Sequence, residues 1–303
     1  MALEIDIERG RKIASFLPGL FAREGLNGRS GMPEDSPPDG VTVGSLEHVL
    51  FITLTVAIDY QRDANQLWEA ARISYQDPDI HYLFKPASFF ELKQSIIEKD
   101  MAKYGLSRKF RRDPWYWRTN ALTFFKKWSS DPRKFLESCT WNSLEVLQRL
   151  KTDTHSFNGR ILKDFLYLPG PKIGPLWLRM MRDNARESRL KRLEQVPIPV
   201  DVHVARSTFA LGIVRGEYEG TLTQAYHCVR RVWFEAVKGL RFNNRDMIAL
   251  DMDQSLWHLS KYGCTKRSTA TGVCPLDSRC DLRDYCILGK VSLSGNSISL
   301  ATR

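Results

Sequence analysis

The heptapeptide LPGPKIG at 168–174 constrains the fold of this chain more than any other segment. Two glycines and two prolines within seven residues interrupt any regular element and predict a tight turn. We expect a short helix over 161–168 before this turn and a second helix after it. The first turn of a helix carries backbone N–H groups without intrahelical partners, and these suit a phosphate oxygen. The sequence therefore predicts two helices joined by a phosphate-binding glycine turn.

The second helix places Ile173, Leu176 and Met180 on one face and is expected to continue through a basic stretch. The cations of that stretch are Arg179, Arg182, Arg186, Arg189, Lys191 and Arg192. One carboxylate, Asp201, then follows in the apolar run PVDVHVAR, at the expected start of the next helix. A phosphate-binding turn followed by an isolated carboxylate indicates a protein that holds a nucleic-acid backbone and performs chemistry beside it.

The rest of the chain carries apolar residues mostly at helical spacing. Ser45 is a good N-cap for the apolar run 46–58. Further helices are expected over 64–74, 89–104, 117–128 and 142–150. Residues 27–44 are rich in Gly, Pro, Ser and Asp, which predicts a loop between a short N-terminal helix and the main body. Because alternating strand patterns are scarce, we predict an all-α chain.

The chain is basic and carries no long uncharged apolar run. Lys and Arg total 45 against 35 Asp and Glu, a formal net charge of +10 that is typical of proteins meeting polyanions. The N-terminal sequence MALEIDIERGRK lacks the apolar core of a secretory signal. We therefore expect no membrane association and a cytoplasmic, nucleoid-associated or nuclear protein rather than a secreted one.

Four of the six cysteines, Cys264, Cys274, Cys280 and Cys286, fall within 23 positions and are separated by nine, five and five residues. In a reducing compartment, clustered thiols usually bind a metal centre rather than form disulfides. The wide spacing lacks the paired knuckles of most zinc ribbons, so we favour a 4Fe–4S cluster, with zinc as the alternative.

Taken together, these motifs resemble the helix-hairpin-helix DNA glycosylase superfamily, which includes endonuclease III and the adenine-mismatch glycosylases. The resemblance covers roughly residues 45–290. It rests on LPGPKIG, on VDVHVAR, and on DMDQSLWHLSKYGCT, which leads into the cysteine segment. It implies two helical domains, a six-helix barrel over 45–195 and an iron–sulfur domain formed by 1–44 and 196–303. The helix-hairpin-helix itself would span about 159–194, and the substrate base would be flipped into the cleft between the domains.

The resemblance also assigns roles to single residues. Asp201 matches the family's catalytic aspartate, Gly170 and Gly174 would bracket the phosphate-binding backbone, and the four cysteines would hold the cluster. Gln61 stands where family members carry a polar residue that fills the gap left by the flipped base, although it could equally be an ordinary loop residue. Arg111 and Arg112 belong to a basic stretch interleaved with aromatic residues, either a DNA-tracking surface or a solvated basic face.

Two departures from the family pattern bear on the reaction. Bifunctional members carry a catalytic lysine four residues after the first glycine of the turn, and Gly174 occupies that position here. Without this amine no Schiff base forms, so we expect a monofunctional glycosylase acting as a monomer on a damaged, mismatched or modified base in double-stranded DNA. Lys172 lies within the turn, where phosphate contact is its expected role. Of the three cysteine spacings, only the last matches the family.

Two alternatives remain open from the sequence. One is a bifunctional glycosylase and lyase that uses Lys172 as its amine. The other is a non-catalytic protein that binds DNA structures on the same scaffold.

Overall fold

The computed structural model describes residues 3–157, 159–276, 279–287, 289–294 and 297–302. The chain forms two compact units, which we call the terminal unit (1–32 and 196–303) and the central unit (33–195). The chain is mostly helical, as an all-α class requires. Residues 33–44, assigned from the sequence to the cysteine-bearing domain, lie in the central unit, where Glu34 forms a buried ion pair with Arg179.

The terminal unit begins with β1 (Glu4–Ile5), α1 (Ile7–Ala14) and α2 (Leu17–Glu24). The central unit contains α3 (Leu46–Val56), α4 (Ala64–Gln76), α5 (Gln94–Ala102), α6 (Arg112–Trp128), α7 (Pro132–Ser138), α8 (Ser143–Thr152), β2 (Thr154–Phe157), β3 (Arg160–Lys163) and α9 (Ile173–Asp183). The chain then returns to the terminal unit with α10 (Val202–Ala210), β4 (Val214–Thr221), α11 (Leu222–Ala236), β5 (Arg241–Phe242), β6 (Arg245–Asp246), α12 (Asp253–Tyr262), β7 (Gly289–Ser294) and β8 (Ser297–Thr302).

The core of the central unit is built from aromatic side chains contributed by different helices. Phe51 of α3 meets Trp68 of α4 with ring centroids 5.7 Å apart, and Phe135 of α7 stacks on Trp177 of α9 at 6.4 Å. The fully buried indole of Trp177 donates its N–H to the Thr53 hydroxyl at 3.0 Å. Because this donor is satisfied, the ring is buried without an unpaired polar group. This packing fixes α9, and with it the glycine turn, against α3.

The element before the glycine turn differs from the prediction. The helix expected over 161–168 is wrong: β2 and β3 pair as an antiparallel hairpin, with Thr154 opposite Lys163 and Phe157 opposite Arg160. The sequence does carry a signal for this hairpin, the Asn-Gly pair at 158–159, which favours two-residue β-turns. The helix that precedes the turn and packs against α9 is α8, which ends at Thr152 rather than at the expected residue 168.

The helix after the turn is shorter than predicted. It ends at Asp183, so the cations from Arg186 onward lie in an irregular segment rather than on an extended helix. Arg186 adopts a left-handed conformation (φ 57°), which no α-helix accommodates. Beyond it, Glu187 holds the Arg189 guanidinium through two bonds of 2.8 and 2.7 Å. The pairing of Arg189 with Glu187 therefore helps to order the loop that follows α9.

The terminal unit contains a four-stranded sheet in the order β1-β4-β8-β7 that the all-α prediction did not include. β4 pairs with β8 from Gly216 opposite Thr302 to Thr221 opposite Ser297. Helix α10 packs against α12 and β7, and the buried Trp233 of α11 donates to the Thr208 hydroxyl of α10 at 2.9 Å. In the described ranges, no helix is both long and apolar enough to cross a membrane.

Candidate nucleic-acid interface and catalytic carboxylate

The glycine turn is closed by hydrogen bonds from both of its glycines. The N–H of Gly170 donates to the Tyr167 carbonyl (2.9 Å), and the N–H of Gly174 donates to the Gly170 carbonyl (3.0 Å). Pro171 has no N–H to offer. The turn would therefore attract a phosphate through the positive end of the α9 dipole and through nearby cations, more than through the two glycine amides.

Gly174 lies where α9 comes closest to α8. A Cβ atom at this position would stand 2.7 Å from Cδ2 of Leu147 and 3.3 Å from the carbonyl oxygen of Leu168. Both distances are shorter than ordinary van der Waals contact. A larger side chain here would therefore require Leu147 to move and would crowd the Leu168 carbonyl, so packing favours glycine at this position.

Lys172 ties the glycine turn to the loop that follows α3. Its ammonium donates to Oδ2 of Asp59 at 3.1 Å and lies 3.4 Å from the Asp59 carbonyl. Asp59 is buried, and three-quarters of the Lys172 side chain is covered. The cation predicted to contact a phosphate is thus held by a carboxylate in this structure.

Gln61 is held in an unusual backbone conformation on the same loop. Its φ of 51° lies in the left-handed region, which costs a non-glycine residue about 1–2 kcal/mol. Two basic side chains hold it there: Arg108 donates to its carbonyl at 3.4 Å, and the Lys109 ammonium donates to its Oε1 at 3.3 Å. An exposed residue kept in a strained conformation by its neighbours is a candidate functional position.

Three tyrosines form a cluster between this loop and the glycine turn. The ring of Tyr167 lies 4.6 Å from that of Tyr60 and 5.0 Å from that of Tyr116, between centroids. The Lys109 ammonium sits 4.0 Å above the Tyr60 ring, a cation–π contact. Burial, and then a hydrogen bond to Tyr60, raise the pKa of Tyr167, so its hydroxyl stays protonated. Tyr167 is also left-handed, with a φ of 67°.

The basic stretch before α6 is ordered by one buried carboxylate. Oδ2 of Asp113 accepts the backbone N–H groups of Arg108 and Lys109, each at 2.8 Å. Arg111 and Arg112 follow at the start of α6, and both are exposed. Burial, and then the charges of Arg112 and Arg108, lower the pKa of Lys109 below its ordinary value. Arg108, Lys109, Arg111 and Arg112 therefore place four basic side chains within five positions.

Segments 59–62, 108–116 and 167–174 therefore meet on one part of the central unit, which we call the loop–turn surface. The residues predicted from the sequence that meet there are Gln61, Lys172, Gly170 and Arg112, with Arg111 next along the chain. Of the two tryptophans in the basic stretch, Trp117 is fully buried in the core and Trp115 is 51% exposed. The exposed Phe110 adds a second aromatic ring to the stretch.

Asp201 begins α10 in the terminal unit. Its Oδ1 accepts the backbone N–H groups of His203 (2.8 Å) and Val204 (3.0 Å), which is an N-cap that satisfies two orphan donors of the helix. The His203 ring lies 3.3 Å from the Ser260 hydroxyl of α12, a structural contact. These contacts fix the orientation of the carboxylate relative to the helix.

Arg206 is one cation that interacts electrostatically with this carboxylate. Burial lowers its pKa, while Cys264 and Asp201 act in the opposite direction. The same guanidinium thus interacts electrostatically with both Asp201 and Cys264, the first cysteine of the C-terminal segment. This relation follows from the packing of α10 against residues Cys264–Lys266.

The four clustered cysteines influence one another without forming a tight site. Burial raises the pKa of the Cys264 thiol, and the thiols of Cys286, Cys280 and Cys274 raise it further. Arg267, which is buried, donates to the sulfur of Cys286. Across the part of the chain that the structure describes, no group of three or more His, Cys, Asp or Glu side chains could hold a single metal ion.

Tyr60 and Tyr167 were not expected from the sequence to be functional residues, and Lys109 was not expected to contact Gln61. Asp59 was considered from the sequence only as a possible second carboxylate of the pocket, and its contact with Lys172 was not foreseen. Tyr167 immediately precedes the turn sequence LPG, and Tyr60 precedes Gln61, so both were adjacent to candidates without being chosen. Their proximity depends on contacts across more than a hundred residues, which no local pattern encodes. No protein-family model matches the chain, and no curated protein matches it either.

Proposed function

We propose that the protein is a monofunctional DNA glycosylase that hydrolyses the N-glycosidic bond of a flipped, damaged, mismatched or modified base in duplex DNA. The observation that carries the proposal is the loop–turn surface. Three distant segments, each chosen from the sequence for DNA contact, lie together there and include a glycine turn, a strained glutamine and exposed arginines. The resemblance to helix-hairpin-helix glycosylases supplies the reaction class.

Asp201 is the proposed catalytic residue. A base must leave the stack before its glycosidic carbon can be reached, and extrusion costs a few kcal/mol that backbone contacts offset. As the base departs, the sugar gains oxocarbenium character. A carboxylate can stabilise this positive charge electrostatically, or it can position the water that attacks the sugar. The N-cap bonds to Oδ1 hold this carboxylate in a fixed orientation, so it needs no reorganisation during the reaction.

The proposed reaction ends with base release and includes no lyase step. Two contacts, one at Gly174 and one at Lys172, support this. The position of the lyase lysine is Gly174, where any side chain meets Leu147. The alternative amine, Lys172, is engaged by the buried carboxylate of Asp59 at 3.1 Å rather than free to attack a sugar. Trapping of a protein–DNA adduct by borohydride, lost in Lys172→Ala, would favour the bifunctional alternative.

The cysteine segment is proposed to hold a 4Fe–4S cluster through Cys264, Cys274, Cys280 and Cys286. The grouping of the sulfurs supports this: the neighbouring thiols add to the effect of burial in raising the pKa of Cys264 and of Cys280, so these thiols lie close enough to interact, and Arg267 donates to the sulfur of Cys286. A tetrahedral zinc site would bring four sulfurs to about 2.3 Å from one ion, whereas a cluster distributes its thiolates over separate iron atoms. When bound, the cluster would tie the segment together beside α10.

The cluster proposal has its own readout, independent of activity. We expect the purified protein to be brown, with four iron and four sulfide per chain, and each cysteine-to-serine variant to lose colour. A colourless protein with one equivalent of zinc would instead establish the zinc alternative.

The catalytic proposal is tested by an unbiased screen for base release. The protein is incubated with duplexes that each carry one damaged, mismatched or modified base, and released bases are identified by mass spectrometry. We expect release of a defined base, leaving an intact strand that breaks only on later alkaline treatment. Salt-sensitive duplex binding without release from any substrate would point to the non-catalytic alternative.

A further inference from the structure

The β2–β3 hairpin projects from the central unit immediately before the glycine turn. Each strand has four residues, and Arg160, Ile161, Leu162 and Lys163 of β3 are all exposed. Ile161 has 79% of its surface exposed, the largest fraction among the exposed large apolar residues that the structure describes. An isolated two-stranded hairpin gains little from its own packing, so this element needs another reason to be held in place.

The base of the hairpin is anchored firmly. Asp164, which is fully buried, accepts from the His155 ring at 2.8 Å and from the Lys127 ammonium. Its backbone N–H donates to the Asp153 carbonyl at 3.1 Å, and its carbonyl accepts from the Thr123 hydroxyl at 2.7 Å. The base of the hairpin is therefore held against α6 and the end of α8, while the four residues of β3 are exposed.

The charge of the hairpin fits a polyanion. From 154 to 163 the chain carries no carboxylate, whereas Arg160 and Lys163 carry positive charge. The ribbon combines these cations with an exposed Ile161 and a 41% exposed Leu162. A two-stranded ribbon has the width that the major groove of B-DNA admits, and apolar side chains there contact the methyl group of thymine.

We propose that the β2–β3 hairpin is a second DNA-contacting element, which enters the major groove of the duplex held at the glycine turn, with Arg160 on the backbone and Ile161 against the base edges. This inference rests on the proposed function, because it requires duplex DNA at the loop–turn surface. Asp164 at the base of the ribbon and Tyr167 at the turn are only three positions apart, so the base of the ribbon lies within about 11 Å of the turn.

The test compares an Arg160→Ala, Ile161→Ser double variant with a matched control, Ile96→Ser with Lys99→Ala on the exposed face of α5. Affinity for a fluorescein-labelled, lesion-free duplex is measured by anisotropy, and dimethyl sulfate footprinting reports guanine contacts in the major groove and adenine contacts in the minor groove. We expect the hairpin variant to bind about tenfold more weakly, and the control to match the wild type. The wild type should protect guanines that the hairpin variant leaves reactive.

Equal affinity of the hairpin variant and the wild type, or protection confined to minor-groove adenines, overturns the proposal. Light scattering that finds a wild-type dimer broken by the hairpin substitutions assigns this face to a second copy of the chain and also overturns it. An Arg160→Glu variant repeats the test with a single exposed substitution. Base release is measured separately: lack of release with hairpin-dependent binding contradicts only the proposed reaction, whereas hairpin-independent binding with release contradicts only this inference.

Discussion

Asp201 combines two roles that substitutions can separate, because asparagine caps a helix as well as aspartate does and alanine does not cap it. We expect Asp201→Ala to lower the free energy of unfolding by about 1 kcal/mol, since the N–H groups of His203 and Val204 lose their acceptor. Asp201→Asn should stay within a few tenths of a kcal/mol of the wild type. Urea denaturation measures both, and equal losses in the two variants would contradict the capping role.

His258 gives the terminal unit a pH-dependent stability. The ring is fully buried between Phe21 and Tyr262, at 4.9 and 4.6 Å, and neither ring nitrogen has a hydrogen-bond partner among the described residues. Burial, and then the charge of Arg29, lower the pKa of His258 to about 4. Between pH 6.5 and 4 this histidine is protonated in the unfolded chain but largely neutral in the folded protein. Its contribution to the free energy of unfolding is therefore fully present above pH 6.5 and is lost as the pH falls towards 4.

We expect His258→Phe to flatten this pH dependence. The wild type should lose at most about 3 kcal/mol more than the variant between pH 7 and 4, measured by urea denaturation at several pH values. The exposed His227→Phe serves as the control and should keep the wild-type slope. An unchanged slope in His258→Phe would show that another group governs acid sensitivity.

Among the elements, the contact between α8 and α9 accounts for the glycine at position 174. We expect Gly174→Lys to lower the free energy of unfolding by about 1–3 kcal/mol, because the new side chain overpacks Leu147 and the Leu168 carbonyl. Thermal denaturation measures this loss, and the same sample should show no adduct on borohydride trapping. A fully stable Gly174→Lys variant would contradict the packing explanation.

The elements that local sequence patterns specify were predicted well. Ser45 caps α3 through its hydroxyl, and the expected helix over 142–150 corresponds to α8. Such elements depend on a capping side chain and on apolar residues at helical spacing, both of which are visible over a few positions.

The elements that were missed depend on distant or competing contacts. The pairing of β1 and β8 with β4 joins the two ends of the chain, which no local pattern encodes. The β2–β3 hairpin has a local signal in its Asn-Gly pair, but the apolar residues over 161–168 also fit a helix and favoured the wrong prediction. The basic residues after α9 look helical in isolation, yet Glu187 and the left-handed Arg186 hold them in a loop. Similarly, Gln61 was a candidate from the sequence, but its contact with Lys109 appears only in three dimensions.

For the molecule as a whole, the net charge of +10 predicts an affinity for DNA that falls steeply as the salt concentration rises. If Arg111 and Arg112 each neutralise one phosphate, replacing both by alanine should reduce the slope of log affinity against log salt by about two. Replacing the exposed Lys93, at the N-cap of α5, and Lys99, on α5, by alanine removes two positive charges away from the loop–turn surface. This control should leave the salt slope nearly unchanged. Anisotropy titrations at several salt concentrations measure both slopes, and equal slopes in the two variants would contradict a specific role for the arginines.

The central claim is that one carboxylate carries the chemistry while the loop–turn surface carries the binding. Its most direct test is the single-turnover rate of base release by wild type and Asp201→Asn, on the duplex that the screen identifies and at saturating protein. We expect Asp201→Asn to bind this duplex as tightly as the wild type and to release the base at least about a hundredfold more slowly. Undiminished release by Asp201→Asn would contradict the catalytic role of this carboxylate.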